Sequence, residues 1–257
     1  MEYKGIFDTH AHYDDERFDE DRSTVLGSLA GHGVSLVVDP ACDLASCEKT
    51  LELSHRYGFL YSAVGVHPHS AESDGNENWL FKVEKFAKQP KVVAIGEIGL
   101  DYYWNKENKE KQKELFIKQI EIANRLNKPI VIHTRDAYID TIEILKKHQV
   151  NKKGIFHCCP LNQELIKEGL KLGFYISFSG NITFKNAKAE AILELVPMDK
   201  MLIETDSPYL TPEPFRGKRN NPSMVKLVAQ RVSEVKKVPI ETVTEITYKN
   251  ANEIFNI

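Results

Sequence analysis

The chain has 257 residues, with 34 Lys and Arg against 37 Asp and Glu, for a net charge of −3. That length suits one α/β barrel, and 42% hydrophobic with 28% charged residues is the make-up of a chain that buries a sizeable core. No run approaches the ~20 apolar residues of a bilayer span, no basic-then-apolar leader is visible, and the acidic balance argues against wrapping duplex DNA on a broad cationic surface.

Eight short apolar runs recur along the chain, and Val, Ile, Phe and Tyr enrichment marks them as strands rather than helices. In order they are GIFDTHAH (5–12), SLVVDPAC (35–42), LYSAVGVHPH (60–69), VVAIGEIGLD (92–101), PIVIHTRD (129–136), GIFHCC (154–159), FYISFSG (174–180) and MLIETDSP (201–208). Helical spacing fills the gaps in SCEKTLELSHRYG, YIDTIEILKKHQV, NQELIKEGLKLG, NAKAEAILELV and, most clearly, KEKQKELFIKQIEIANRLN. Gly58 and Gly173 stand where two of these helices need a left-handed terminating residue. Strand alternating with helix eight times predicts a single (β/α)8 TIM barrel over 1–257, extended by two C-terminal helices in SMVKLVAQRVSEVKK and ETVTEITYKNANEIF. A doubly wound open sheet is the alternative, but no GxGxxG follows the first strand. Cys42, Cys47, Cys158 and Cys159 form neither a disulfide framework nor a CxxC pair, which points to a reduced, cytoplasmic protein.

Barrel enzymes build their sites at the C-terminal strand ends. Those ends carry His10 and His12 on strand 1, with Asp8 on the same face below them, then His67 on strand 3 and Glu97 on strand 4. His133 follows on strand 5, His157 on strand 6 and Asp206 on strand 8. The period of two supports the selection, because Ile95 shares a face with Glu97, Val131 with His133, Ile155 with His157, and Leu202 with Glu204 and Asp206. Any one of these residues alone reads as an ordinary polar group. Together they predict a metal centre. Even without His67, four imidazoles and two carboxylates exceed the three protein ligands of one catalytic zinc, and suit two divalent ions (Mg2+, Zn2+ or Mn2+) sharing Glu97. Such a pair clamps the attacking and leaving oxygens in displacement at phosphorus.

The motifs DTHAH, GVHPH, AIGEIGLDYY, IHTRDA, FHC, SFSGNITFKNA, IETDSPYL and RGKRNNPS together resemble the TatD family of metal-dependent deoxyribonucleases, over essentially the whole chain. The resemblance implies a TIM-barrel hydrolase with two divalent metals that acts on DNA ends, single-stranded or frayed, and in some members on other esters. Carried over residue by residue, it implies His10, His12, Glu97, His133, His157 and Asp206 as ligands. The stretch FHCCPLN departs from the family pattern after its first Cys, which touches substrate preference rather than the metal set.

On the substrate side, Arg216, Lys218 and Arg219 in FRGKRNNP and Arg135 in HTRDA are candidate phosphate contacts. His67 is a candidate for metal-bound water or phosphate, His69 for loop structure. Tyr102, with Tyr103 and Trp104, offers aromatic faces for stacking on bases. Asp206 is the candidate general base and Glu204 a support one layer down. The leading expectation is a phosphodiesterase, a deoxyribonuclease working from DNA ends with no obligate protein partner. The alternatives are an amidohydrolase-type enzyme for an amide, lactone or aminoacyl ester, and a non-catalytic metal- or partner-binding barrel.

Overall fold

In the computed structural model, which describes residues 5–71, 78–104 and 106–257, eight parallel strands follow one another round a barrel in chain order. They are β1 (Ile6–Asp8), β2 (Val34–Pro40), β3 (Leu60–Val64), β4 (Val92–Asp101), β5 (Ile130–Arg135), β6 (Gly154–Phe156), β7 (Tyr175–Phe178) and β8 (Met201–Ile203). The ring is drawn together between β8 and β1, where Thr9 N–H donates to Ile203 O at 3.3 Å. Beyond the strand ends, Asp206 N–H donates to His10 O at 2.9 Å and His12 N–H to Ser207 O at 2.7 Å.

The helices lie between and after the strands: α1 (Arg22–Ser28), α2 (Leu44–Arg56), α3 (Trp79–Ala87), α4 (Lys109–Leu126), α5 (Tyr138–Lys147), α6 (Gln163–Lys171), α7 (Glu190–Leu195), α8 (Val225–Lys236) and α9 (Ile240–Phe255). Among the described residues, none is long and apolar enough to cross a membrane. Two of them, α1 and α3, were not anticipated. In α1 only Leu26 is buried, too little for a periodic signal. In α3 the buried Trp79, Val83 and Ala87 recur every four residues, so a signal was there to be read.

Local chemistry sets the helix ends. Asp43 and Ser46 form a reciprocal capping box at the start of α2, and Asn162 caps α6 by accepting from Leu165 N–H. Gly173, at φ +90°, takes the left-handed place expected after α6. Gly58 does not, since α2 gives way at Tyr57 to extended backbone (φ −114°), and a turn closed by Leu60 N–H donating to Tyr57 O at 3.1 Å then leads into β3.

Each strand splits its side chains between two layers. One inward residue from every strand, Phe7, Val38, Ala63, Ala94, Val131, Ile155, Tyr175 and Leu202, packs at the barrel floor against Ala251 and Phe255 of α9. The outward residues, Val37, Val64, Ile95, Ile132 and Ile203 among them, meet the helices. One expectation fails here. Ile95 is an outward residue and Ala94 the inward one, so simple alternation would turn Glu97 outward. The pairing of β4 with β5 is irregular between Ile95 and Ile98, and that break brings the Glu97 side chain to the barrel axis.

Candidate metal centre

Just past the apolar floor layer, the inward positions become polar. His133 lies within β5, His157 directly follows β6, and Glu204 and Asp206 follow β8. His10 and His12 sit beyond β1, and His67 beyond β3. The strand that bears Glu97 comes very close to its neighbour. A Cβ at Gly96 would stand 2.5 Å from Val131 Cβ, and one at Gly99 only 2.0 Å from His133 O. Any side chain there would push β4 off β5 and separate Glu97 from His133.

Glu97 is the hub. Its Oε1 lies 2.8 Å from His133 Nδ1, 2.9 Å from His157 Nε2 and 3.5 Å from His67 Nε2. Its Oε2 faces the other side, 3.5 Å from His10 Nε2 and 3.7 Å from His12 Nε2. Asp206 Oδ1 completes the ring at 3.6 Å from His12 Nε2 and 3.8 Å from His10 Nε2. His10 and His157 stack with ring centroids 3.7 Å apart. All six expected ligands therefore meet at one point of the barrel mouth, and His67 joins them beside Glu97 and His133.

The donor chemistry fits a divalent cation. A neutral imidazole offers a lone pair on one nitrogen only, and the hydrogen bond at the other nitrogen decides which. His12 Nδ1 lies 3.1 Å from Pro40 O, an acceptor only, so Nε2 carries the lone pair. His157 Nδ1 lies 3.1 Å from Glu204 Oε1, which leaves Nε2 free. His133 is reversed, with Nε2 3.0 Å from Asp101 Oδ2 and Nδ1 turned to Glu97. Lone pairs and carboxylate oxygens thus converge about 3 Å apart, the separation of ligands held at ~2.0–2.2 Å on a shared cation. Glu97 belongs to two of the ligand groups, with His10 and His12 in one and with His67 and His133 in the other.

The field of the cluster is uneven. Burial opposes ionisation of Glu97, but His157, His67, His10 and His133 outweigh it and hold that carboxyl well below its usual range. Burial pushes Asp206 up to about 6, despite His157 and His12. His10 is pushed down to about 4 by burial and by the neighbouring His157. Burial acts the same way on His157, yet Glu97 and Glu204 win and raise it well above the ordinary value.

The supporting residues were only partly anticipated. Glu204 takes the place expected for it, bonded to His157, to Ser177 Oγ at 2.5 Å and to Cys158 N–H at 2.7 Å. Asp101 was missed. Its Oδ2 accepts from His133 and His69, while Oδ1 accepts from the backbone N–H groups of Tyr103 and Trp104 at 2.9 Å each. Counting on by four from Glu97 would have found it. Asp8 does not serve the cluster; it pins β1 to the loop after β8 by accepting Thr205 N–H and Oγ1. In the atypical loop after β6, Cys158 Sγ rests 3.1 Å from Ser179 Oγ.

The expected substrate contacts divide. Arg135 lies over the rings of Tyr103 (3.9 Å) and Trp104 (5.5 Å), Arg216 over Phe184 (3.6 Å) and Lys218 over Phe215 (5.5 Å). An aromatic face orients a cation without neutralising it. Arg219 is different, because both its terminal nitrogens bond to Asp21, at 2.6 and 2.9 Å, and Nη1 also bonds to Arg17 O. Its charge is matched already, and its place is that of a strap between two loops. Tyr102 is likewise a packing residue, 6% exposed, with its hydroxyl donated to Asp140 at 2.6 Å. The accessible rings of that loop are Tyr103 at 48% and Trp104 at 66%.

Comparison with known proteins agrees with this geometry. The family described as TatD related DNase matches residues 7–256. The uncharacterized metal-dependent hydrolase YabD of Bacillus subtilis is 43% identical over 254 residues, covering 98% of this chain and 99% of its own. YcfH of Escherichia coli, also an uncharacterized metal-dependent hydrolase, is 39% identical over 260 residues, covering 98% of this chain and 96% of its own. Among solved structures, the TatD homologue YjjV of Escherichia coli superposes with a TM-score of 0.93 at 28% identity, over 98% of each chain.

Proposed function

The chain belongs to the TatD-related DNase family of metal-dependent hydrolases, and we propose that it cleaves phosphodiester bonds as a deoxyribonuclease acting from DNA ends. One observation carries this reading. A buried nitrogen–oxygen donor cluster lies at the C-terminal strand ends, and Arg135 at the end of β5 and Arg216 and Lys218 in the chain after β8 are cations held against aromatic rings, which orient a charge for phosphate without neutralising it.

In this reading His10, His12, His133, His157, Glu97 and Asp206 would hold two divalent cations, with Glu97 the residue that both would share. The support is that its Oε1 faces His133 and His157 while its Oε2 faces His10 and His12. Such cations supply Lewis-acid activation of the phosphoryl group and of the attacking water. Asp206 accepts the proton that the water loses, a role suited to a carboxyl lifted towards neutrality by burial. Glu204 and Asp101 hold His157 and His133 in the tautomers described above. His67 meets a phosphate oxygen next to Glu97, and Arg216 and Lys218 steady phosphates further along the strand. Tyr103 and Trp104, steadied by Arg135, stack on unpaired bases, worth ~1–3 kcal/mol per base. A compact basic rim on an acidic protein grips a terminus better than a long duplex.

The test is digestion of end-labelled linear single strands, linear duplex and closed circular DNA by the metal-loaded protein, beside an amide, a lactone and an aminoacyl ester. Progressive loss of the linear strands, with the circle cut far more slowly, is the expected result. Turnover of the ester, amide or lactone without DNA cleavage would overturn the reading.

A further inference from the structure

At the opposite end of the barrel from the candidate centre, a cavity of about 700 Å3 opens at the N-terminal strand ends, lined in part by the end of α9. Lysines recur round it in one kind of place. Lys91 stands directly before β4, Lys128 two residues before β5, Lys152 and Lys153 before β6, and Lys200 directly before β8. Leu126, Pro129 and Ile254 add apolar surface between them.

Among the described residues, none of these lysines has an acidic partner. Lysines on the helices do pair, Lys88 with Glu84, Lys118 with Glu114 and Lys171 with Glu168. The whole chain carries a charge of −3, so unmatched cations round one cavity are a local inversion and not a general excess. Glu253 lines the cavity and Asp199 adjoins Lys200, and both act on the Tyr175 hydroxyl. Neither they nor the carboxylate at the end of this chain, Ile257, forms an ion pair with the lysines.

The ammonium groups divide by what they touch. Lys91 Nζ donates to Ser54 O, Tyr57 O and Gly58 O at 2.7, 2.6 and 3.1 Å, and Lys128 Nζ donates to Val92 O. Burial lowers the pKa of both, with no acid to offset it. These two are fixed charges in the wall. Lys152 and Lys153 have no acceptor on Nζ among the described residues. Lys200 Nζ lies 4.2 Å from the centre of the Tyr175 ring, a contact that orients a cation without neutralising it. Charges of one sign lining a concave, low-dielectric site reinforce one another's field and gather counter-ions.

We propose that this floor cavity binds an organic phosphate of nucleotide size and at least two negative charges, its phosphates on Lys152, Lys153 and Lys200 and its body on the apolar lining. The volume falls within the ~300–1,000 Å3 of small-molecule sites. No arginine lines the cavity, so the planar two-point grip that favours carboxylates is absent, whereas ammonium groups meet phosphate as point charges. A diphosphate matches several free cations at once. The site is independent of the substrate reading, since it lies at the far end of the barrel from the donor cluster.

The test uses the full metal-loaded chain, with ADP, pyrophosphate and adenosine as probes at fixed ionic strength. Calorimetry should show ADP binding that pyrophosphate competes away, and no binding of adenosine. Lys152→Gln with Lys153→Gln, and separately Lys200→Gln, should each weaken ADP binding about tenfold or more. Arg216→Ala with Lys218→Ala, at the other end, should leave it unchanged. A wild-type co-crystal with ADP, which does not depend on how the variants fold, should place its phosphates at Lys153 and Lys200. Failure of both ADP and pyrophosphate to bind at millimolar concentration would overturn the proposal, as would adenosine binding as tightly as ADP. It would equally fail if ADP affinity survived the lysine replacements, or if the co-crystal showed ADP only at the metal centre.

Discussion

The floor and the mouth of the barrel are made by the same strands and differ in almost everything else. At the floor, Phe7, Val131, Ile155 and Leu202 point inward and meet α9, with the Phe7 and Phe255 rings 5.9 Å apart. Two residues further along those strands the inward positions are Thr9, His133, His157 and Glu204, all bonded to one another's neighbours through polar atoms. The hydrophobic effect therefore acts mainly at one end. The other end holds charged groups whose desolvation is a cost offset by mutual contacts. Stability and chemistry are separated along the barrel axis, and substitutions at the two ends should fail in different ways.

The largest effect on folding is expected at the floor. Phe255→Ala removes a ring that plugs the barrel, 3% exposed, and should lower stability by about 3–4 kcal/mol. Denaturant midpoints would show the loss, while turnover per folded molecule stays near normal. A variant with intact stability would mean that α9 is not the plug.

At the mouth, Asp101→Asn should leave the fold alone and weaken metal binding by about 10–100-fold. The amide lets His133 turn the wrong tautomer toward Glu97. A metal titration of the variant beside the wild type checks it, and unchanged affinity would remove Asp101 from the support of the centre.

The smallest effects should come from the basic loop, and they should split. Arg216→Ala with Lys218→Ala should raise KM several-fold and flatten its salt dependence without changing Tm. Arg219→Ala should instead lower the denaturant midpoint slightly, because the bidentate pair with Asp21 is exposed and screened by solvent, and leave KM alone. The opposite pattern would mean that Arg219, not its neighbours, meets the substrate.

The same division explains what could be read from the sequence. All eight strands were legible, because inward and outward apolar residues make each a short Val- and Ile-rich run. The clustering of these side chains was legible because His and acidic residues at strand ends recur in a fixed relation to those runs. Glu97 was found for an incomplete reason, since its orientation depends on a break in β4 pairing that no alternation pattern carries. The roles of Arg219 and Tyr102 were hidden for another reason. Their partners, Asp21 and Asp140, are distant in sequence, and only the closed barrel brings them together.

The central claim is that Glu97 joins the two halves of the donor cluster. Glu97→Gln keeps the shape and removes the charge, so the measurement is metal content and single-turnover rate of that variant against the wild type. The account predicts loss of metal from the cluster and a fall in rate of at least two orders of magnitude, about 2.7 kcal/mol of transition-state stabilisation, in a protein that still folds. A variant that keeps its full metal content and turns over at close to the wild-type rate would contradict it.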